Sequence, residues 1–210
     1  SKEALDDEQE EVVSDAARAL GSSMAYSVEV DMSNIFNNGF TSTTGSPDGQ
    51  ELFATNHTLV GGGTEQNELT TSADLSVSSL RDALNDIADT TDDAGKLLHW
   101  RARYLLVPYE LSWLADELID SSDRPDTANR AKNAFKRNNL TVIAWPYLTD
   151  ADAWFLLAEP SKHNVRKYWR ERPMTMHDWD FDSSSMKVKI RARWIRGWSD
   201  FRGVYGSPGA

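Results

Sequence analysis

The spacing of hydrophobic and polar residues predicts three helices along the chain. From about Lys2 to Tyr26, apolar residues recur at helical intervals, and acidic residues crowd the first turns, where they suit the positive end of a helix dipole. A second helix begins after Asp74 or Ser76, either of which can cap it, and ends near Gly95. A third helix follows Pro108, with its apolar side chains on one side.

Apolar runs between and after these helices predict strands. Leu97 to Val107 is predicted to form one strand, which Pro108 ends. Leu140–Ala144 and Trp154–Ala158 are bounded by a Thr149-Asp150 turn and predict a buried pair of strands. Helices and strands therefore occur without regular β-α alternation, and this mixture favours an α+β fold.

The C-terminal region alternates between apolar and charged residues in two adjoining stretches. In residues 177–182 Trp179 and Phe181 share one side, and in residues 186–193 apolar residues alternate with Lys and Arg. A hairpin that pairs apolar with apolar residues needs an even number of loop residues, here Ser183 and Ser184. The predicted cross-strand pairs are Asp180 with Lys187 and Asp178 with Lys189. The resulting charged stripe suits either a solvated face or neighbouring molecules that meet edge to edge.

The segment Asn34–His57 combines turn-forming residues with large apolar side chains. Its Asn, Gly and Pro residues suit the left-handed or fixed-φ positions of tight turns. The apolar residues between those turns predict a loop held against a core or against a neighbour; they are Phe36, Phe40, Leu52 and Phe53. By contrast, the residues from Gly61 to Ser72 predict a mobile connection, and Ser121–Arg130 predicts a surface loop.

Composition narrows the class of protein further. With 210 residues, 40% of them hydrophobic and eight of them Trp, the chain can fill a core and is not predicted to be disordered. It has no Cys, which excludes disulfides and thiolate metal sites. The net charge of -11 argues against a protein whose main task is to grip nucleic acid, but it suits an ordinary soluble protein or the wall of a DNA container. No apolar stretch is long enough to cross a membrane.

No pattern of residues predicts catalysis or a cofactor. The four histidines are far apart and lack metal-ligand spacing; they are His57, His99, His163 and His177. The aspartates from 178 to 182 resemble a calcium loop, but Ser183 and Lys189 stand where that loop needs Gly and Glu. There is no Gly-x-Ser-x-Gly elbow for a serine nucleophile. The chain is therefore not predicted to be an enzyme or to bind a metal or another cofactor.

Two stretches mix basic and aromatic residues, Val165–Pro173 and Arg191–Gly203. Such a mixture suits nucleic-acid binding, but Glu171 interrupts the first stretch and the whole chain is acidic. Tyr, Trp and Arg are also enriched at the centres of protein interfaces, and this second interpretation is favoured. The predicted subunit-contact residues are Tyr168, Trp169, Arg191, Arg193, Trp194 and Trp198.

Several motifs occur in an order that resembles a known family. Asn34–Asn37 has the pattern Asn-x-Phe-Asn, and it is followed by Pro47-Asp48-Gly49, Leu52-Phe53 and His57. This series resembles the major capsid proteins of tailed bacteriophages, closest to the Mu-like major head subunit group, whose shell fold is that of phage Hong Kong 97. Three later segments resemble the same family, in the same order: Lys96–Ile119, Leu140–Glu159 and Ile190–Gly209.

The resemblance implies a structural shell subunit with an α+β fold of the Hong Kong 97 type. The first helix would be the family's long spine helix, residues 1–72 and 161–210 would form a peripheral domain, and residues 73–160 would form an inserted axial domain. The family's N-terminal arm and extended loop would be absent from this chain. The loop positions that match the family's pattern, and are expected to fix its shape and contacts, are Phe36, Phe40, Pro47, Asp48, Gly49 and Phe53.

The same resemblance implies partners and a place of action. Copies of the chain would form hexamers and pentamers, which close into an icosahedral shell around the double-stranded DNA of a phage or prophage. The DNA would be held by enclosure alone, and portal, scaffolding or decoration proteins could be further partners. Assembly would take place in the cytoplasm of the bacterial host, and the product would be the capsid of the virion, without a cofactor or a membrane.

Two other interpretations stay open at this point. A cellular compartment shell similar to the encapsulins would share the fold but enclose protein cargo in place of DNA. A soluble enzyme or adaptor domain would have an active or binding site that the sequence does not reveal. A compact monomer with a deep polar pocket would favour the last of these.

Overall fold

The computed structural model describes residues 10–121, 133–183 and 185–210, without the side chains of residues 10–14. Its helices are α1 (Glu10–Asn37), α2 (Val77–Asp89) and α3 (Ser112–Asp120). Its strands are β1 (His57–Thr58), β2 (Thr64–Glu65), β3 (Ala102–Val107), β4 (Thr141–Ala144), β5 (Trp154–Ala158), β6 (Val165–Asp180), β7 (Ser185–Trp198) and β8 (Val204–Ser207). Helices and strands are mixed, so the predicted α+β class is confirmed.

Contacts within the chain group these elements into two compact units. Unit 1 combines the described residues up to Met32 with Arg166–Arg196, and unit 2 combines Ser33–Val165 with Gly197–Ala210. Each unit therefore draws on segments that are distant in the sequence. The division into residues 1–72, 73–160 and 161–210, which the family resemblance implies, stays a prediction.

A four-stranded sheet lies at the centre of unit 2, in the strand order β4-β3-β5-β8. β3 and β4 run parallel, and the other neighbouring strands run antiparallel. Successive residues of a strand point to opposite faces, so the register defines two apolar rows across the sheet. One row holds Leu105, Leu156 and Tyr205, and the adjacent row holds Leu106, Phe155 and Gly206. Both faces of the sheet therefore need an apolar cover.

Helices α2 and α3 cover the face that carries Leu105 and Leu156. Their buried apolar residues are Leu80, Ala83 and Ile87 from α2 and Ala115, Leu118 and Ile119 from α3. Of the two predicted caps for α2, Ser76 is the one used. Its hydroxyl accepts from the Ser79 amide (3.2 Å), and its own amide donates to the Ser79 hydroxyl (2.9 Å), which is a capping box.

The predicted boundaries of three elements were wrong. α1 continues to Asn37 instead of ending near Tyr26, because residues 27–37 contain no Gly or Pro to interrupt it. The first residues of the predicted loop are therefore helical. α2 ends at Asp89, and β3 begins only at Ala102, because the chain between them makes a turn with left-handed backbone at Gly95. The predicted start of α1 at residue 2 lies outside the described residues.

The predicted pairing of Leu140–Ala144 with Trp154–Ala158 was also wrong. Both segments form strands, β4 and β5, but each of them pairs with β3, which lies between them. The chain passes through α3 between β3 and β4, and a crossover of this kind makes neighbouring strands parallel. β4 lies at the edge of the sheet and is largely exposed, so of the two predicted strands β5 is buried and β4 is not.

The residues from Gly61 to Ser72, predicted to be a mobile connection, form a tight turn that leads into the core. β1 and β2 pair antiparallel, and the left-handed backbone at Gly62 (φ +89°) and Gly63 (φ +95°) turns the chain between them. Asn67 follows and is buried. The glycines therefore mark a turn and not a flexible linker. Of the surface loop predicted at Ser121–Arg130, only Ser121 lies within the described residues.

Unit 1 contains most of α1 and a long hairpin, in which β6 pairs with β7. The Asp180 carboxylate lies 2.7 Å from the Lys187 ammonium, which confirms one predicted pair. Further along, Glu171 pairs with Arg191 (3.2 Å), whereas the predicted register would place Arg196 opposite it. Five residues of a strand span about 17 Å, more than these two side chains can bridge. The predicted register therefore does not hold along the whole hairpin.

The change of register coincides with Pro173. Odd-numbered residues of β6 are the more covered ones up to Glu171, but the next covered residue is the even-numbered Met176. Proline cannot donate a ladder hydrogen bond and occurs at edges and bulges, where the alternation changes phase. Trp179 and Phe181, predicted to line the apolar face of the hairpin, are 50% and 96% exposed. This end of the hairpin therefore has no apolar cover among the described residues.

Replacing Gly206 in β8 tests how closely the second apolar row is packed. A Cβ at Gly206 would lie 2.9 Å from Phe53 and 3.0 Å from both Phe40 and Phe155. We expect Gly206→Ala to lower the free energy of unfolding by about 1–3 kcal/mol, because the extra carbon overpacks the core. Chemical denaturation measures the change. Gly197→Ala is the matched control, since nothing lies within 4 Å of its Cβ position, and an equal loss in both variants would contradict this packing.

Candidate functional site

Four phenylalanine rings join the segment after α1 to the sheet of unit 2. Phe40 and Phe53 each contact Phe155 of β5, with ring centroids 5.7 and 5.2 Å apart. Phe36, in the last turn of α1, lies 5.1 Å from the same ring. Aromatic pairs at such distances contribute about 0.5–1.5 kcal/mol each beyond the area they bury. Because Phe155 belongs to the second apolar row, these rings cover the face opposite α2 and α3.

A tight turn at residues 46–50 follows, built around Asp48. The Ser46 hydroxyl donates to Asp48 Oδ1 (2.8 Å) and accepts from the Gly49 amide (2.9 Å). The Gln50 amide donates to the same carboxylate oxygen (3.2 Å). Gly49 has a φ of +84°, a conformation that favours glycine, and Pro47 is exposed at the corner. The turn leaves Asp48 Oδ2 available for a partner elsewhere in the chain.

That partner is His57, which is fully buried. Its Nδ1 lies 2.6 Å from Asp48 Oδ2, and its Nε2 lies 3.1 Å from Asn67 Oδ1. The Phe201 ring stacks in parallel on the imidazole, with centroids 3.9 Å apart. Trp198 meets the same ring edge to face at 6.4 Å. His57 thus connects the turn around Asp48 with the segment that precedes β8.

Asn67 determines which atoms of this network donate. Its amide nitrogen donates to the carbonyls of Leu52 (2.7 Å) and Phe201 (3.2 Å), and its Oδ1 accepts from the Ala54 amide (2.9 Å). These three backbone partners identify Oδ1 as the atom that faces His57, so Nε2 of His57 carries a proton and donates it. Nδ1 lies against the Asp48 carboxylate, so the ring is held between Asp48 and Asn67 by a hydrogen bond at each nitrogen.

The Asp48 carboxylate is the anionic partner of this ring. Burial alone would raise the pKa of Asp48, but hydrogen bonds from His57, Ser46 and the Gln50 amide outweigh burial and hold the pKa below its ordinary value. A buried ion pair is tolerated when its remaining hydrogen bonds are satisfied, whereas either partner alone is costly. The pair therefore stabilises the loop as a unit.

This cluster is not arranged for catalysis. A nucleophilic mechanism needs a hydroxyl or thiol hydrogen-bonded to the histidine, but both nitrogens of His57 are engaged and the Ser46 hydroxyl binds Asp48. Within residues 10–121, 133–183 and 185–210, no group of three His, Asp or Glu side chains is placed to hold a metal ion. No helix in those ranges is both long and apolar enough to cross a membrane.

Arg202 forms a second polar cluster in unit 2. Its guanidinium donates to the Thr91 carbonyl (2.8 Å) and to Asp93 (2.8 Å), and it lies 3.3 Å from Asp200. Glu65 accepts from the Thr91 amide (2.6 Å) beside it. Burial would lower the pKa of Arg202, but the carboxylates of Asp93, Asp200 and Glu65 outweigh burial and raise it. The cluster ties β2 and the turn after α2 to the segment before β8.

In unit 1, aromatic contacts hold α1 against one face of the hairpin. Trp169 of β6 meets Trp194 of β7 edge to face, with centroids 5.7 Å apart. The Trp194 indole donates to Asp31 of α1 (2.8 Å), and Asp31 also pairs with Arg196. The helix and the two strands are therefore connected by packing and by charge.

The other predicted contact residues of unit 1 are exposed beside this packing. Tyr168 is 58% exposed, and Arg191 and Arg193 share Glu171 as an exposed ion-pair partner. Ion pairs at such exposure contribute only about 0.2–1 kcal/mol. These three side chains are therefore available for contacts with another molecule.

The structure divides the predicted site residues between the two units. Unit 2 holds Phe36, Phe40, Pro47, Asp48, Gly49, Phe53 and Trp198; unit 1 holds Tyr168, Trp169, Arg191, Arg193 and Trp194. The sequence did not reveal Asn67 and Phe201, whose partners are distant along the chain and leave no local pattern. Phe155 lay within a predicted strand, but nothing in the sequence linked it to the loop.

A comparison with protein families matches nearly the whole chain. The model of a family described as Phage capsid protein matches residues 1–207. The matched range includes both the loop around His57 and the hairpin of unit 1. No match is found among curated proteins or among solved structures.

Asp48 gives the loop a defined dependence on pH. Because its pKa in the folded chain is lowered from 3.8, its stabilising effect is complete above that value and is lost as the pH falls through the lowered one. We expect Asp48→Asn to remove this part of the acid destabilisation. The difference in unfolding free energy between parent and variant should therefore narrow as the pH falls below about 4.

Denaturant unfolding over this pH range measures the difference. Asp89→Asn, which changes an exposed carboxylate in α2, is the control for a general effect of charge. A difference between the parent and Asp48→Asn that stays constant with pH would show that Asp48 is not held as a stabilising carboxylate.

Proposed function

The chain belongs to the phage capsid protein family, and from this we propose that it is a major head subunit, which assembles with copies of itself into an icosahedral shell around double-stranded DNA. Members of such a family are structural proteins. The observation that carries the proposal is the family match over residues 1–207. The finer assignment to the Mu-like group and to the Hong Kong 97 shell fold is supported by the order of the sequence segments described above.

The packing of unit 2 supports the proposal, because it suits a subunit whose shape stays fixed within a shell. Its sheet is covered on both faces, by α2 and α3 on one side and by the phenylalanine rings on the other. The loop that supplies these rings is held by the hydrogen bond between Asp48 and His57. A shell built from many copies needs the same subunit geometry at every position, and a packed interior provides it.

Unit 1 supports the proposal in a different way, because its hairpin exposes Tyr168, Arg191 and Arg193 to solvent. Its hairpin carries nine basic and four acidic residues between Val165 and Trp198, whereas the whole chain carries 22 basic and 33 acidic ones. The rest of the chain is therefore strongly acidic, and a basic hairpin on one copy is complementary to acidic surface on another. We assign subunit contacts to Tyr168, Trp169, Arg191, Arg193 and Trp194.

We also propose how the subunits would be arranged and what they would enclose. Hexamers and pentamers would be the building units, and the DNA would be held by enclosure, as the net charge of -11 favours. Portal, scaffolding or decoration proteins would complete the head in the bacterial cytoplasm. The division into peripheral and axial domains belongs to the same proposal.

Light scattering coupled to size exclusion, with negative-stain microscopy of the large fraction, tests the proposal on the purified chain. We expect rings or closed shells. In Arg191→Glu/Arg193→Glu, we expect assembly to be lost while the monomer stays folded, because the ion pairs that these residues make within the chain are exposed and weak.

Arg18→Glu/Arg81→Glu is the matched control, since it changes the net charge equally at two other exposed arginines. It should assemble like the parent. A parent chain that stays monomeric at every concentration, with its own preceding or following sequence added where the gene encodes any, would contradict the proposed function.

A further inference from the structure

Unit 1 leaves two aromatic side chains uncovered at the end of its hairpin. Phe181 is more exposed than any other large apolar residue in the described part of the chain, and Trp179 lies two residues before it. Burying a side chain of this size removes a large apolar area from water and is favourable. An exposed phenylalanine at the end of a hairpin therefore favours contact with another apolar surface.

The same unit contains an apolar groove between α1 and the hairpin, with a volume of about 280 Å³. Its lining residues include Met24, Ala25 and Val28 from the helix and Trp169 and Ile190 from the strands. A volume near 300 Å³ is the lower end of the range for ligand sites, so the groove suits one aromatic ring and not a larger molecule. Lys167 also lines it, with its ammonium 4.6 Å from the centre of the Trp169 ring.

Phe181 cannot reach the groove of its own chain. Pro173, which also lines the groove, lies eight residues before Phe181, and seven of those steps run along β6. A strand rises about 3.3 Å per residue, so roughly 25 Å separate the two positions. A phenylalanine side chain is far shorter than this distance. If Phe181 fills such a groove, the groove must belong to another copy.

Charge also favours contact between the hairpin end of one copy and the groove of another. Asp182, next to Phe181, is exposed, and none of the Lys and Arg side chains in the described residues pairs with it. Lys167 in the groove likewise contacts the Trp169 ring but has no carboxylate partner in the part of the chain that the structure describes. The largely apolar groove therefore offers the Lys167 ammonium to the carboxylate that follows Phe181, and the Glu29 carboxylate, which also lines the groove, already has a partner within the chain.

We propose that the hairpin end of one copy docks in the groove of a second copy, with Phe181 between α1 and Trp169 and with Asp182 paired to Lys167. The two surfaces differ, so the contact is heterologous, and each copy offers both surfaces. Repetition of such a contact generates rings when its rotation closes. The inference rests on the proposed function, for which it supplies a specific contact between neighbours.

Photo-crosslinking in assembled particles tests this contact. Benzoylphenylalanine in place of Phe181 keeps an aromatic side chain and, on irradiation, bonds to the nearest C–H groups. We expect covalently linked copies, with mass spectrometry placing the bond on residues 21–28 of the second copy. Benzoylphenylalanine in place of Trp113, an exposed residue of α3, is the control and should not label that segment.

A second measurement uses the concentration at which particles form. Truncation of a central interface residue typically weakens binding on the order of tenfold or more, so Phe181→Ala should raise this concentration by that factor, whereas Phe181→Tyr should assemble like the parent. Particles that form normally in Phe181→Ala, or bonds that fall outside the groove, would overturn the docking and leave the proposed function intact. A parent that forms no particles and no linked copies would overturn both.

Discussion

A two-stranded hairpin cannot build a core by itself, and this constraint shapes unit 1. The unit supplies one helix, which covers one face of β6 and β7 through the packing of Trp169 and Trp194 and the bonds from Asp31. The groove beside the helix and the aromatic end of the hairpin are left without cover. Surface of this kind is stabilised when a second molecule buries it, so the incomplete fold of unit 1 is consistent with the proposed contact between copies.

Unit 2, by contrast, covers its apolar surface with residues of the same chain. Its sheet has two apolar faces, and the phenylalanine rings cover the face that the helices leave open. The rings come from α1 and the loop after it, so the loop has to be fixed in place. The buried ring of His57 fixes it, because its two nitrogens are hydrogen-bonded to Asp48 and Asn67 while Phe201 stacks on its face. The hydrogen bonds of this buried cluster thus hold the loop in place.

The sequence predicted those parts of the fold that depend on neighbours in the chain. It placed Ser76 as a candidate cap, Trp154–Ala158 as a buried strand and Phe36 as an anchor, since spacing and turn residues act locally. Prediction from the sequence failed where contacts between distant residues determine the structure. β3 separates β4 from β5, and the burial pattern of β6 changes phase near Pro173. Neither outcome follows from alternation alone. Asn67 was missed for the same reason, because its partners lie up to 134 residues away.

Hydrogen exchange, compared between free subunits and assembled particles, tests the central claim that one unit is complete in the chain and the other is completed by neighbours. The account predicts that amides of residues 36–57 are equally protected in both states. It also predicts that amides at the end of the hairpin, residues 174–183, become protected only on assembly. Hairpin amides that exchange at the same rate in both states would contradict the account, as would a loop that gains its protection only in the particle.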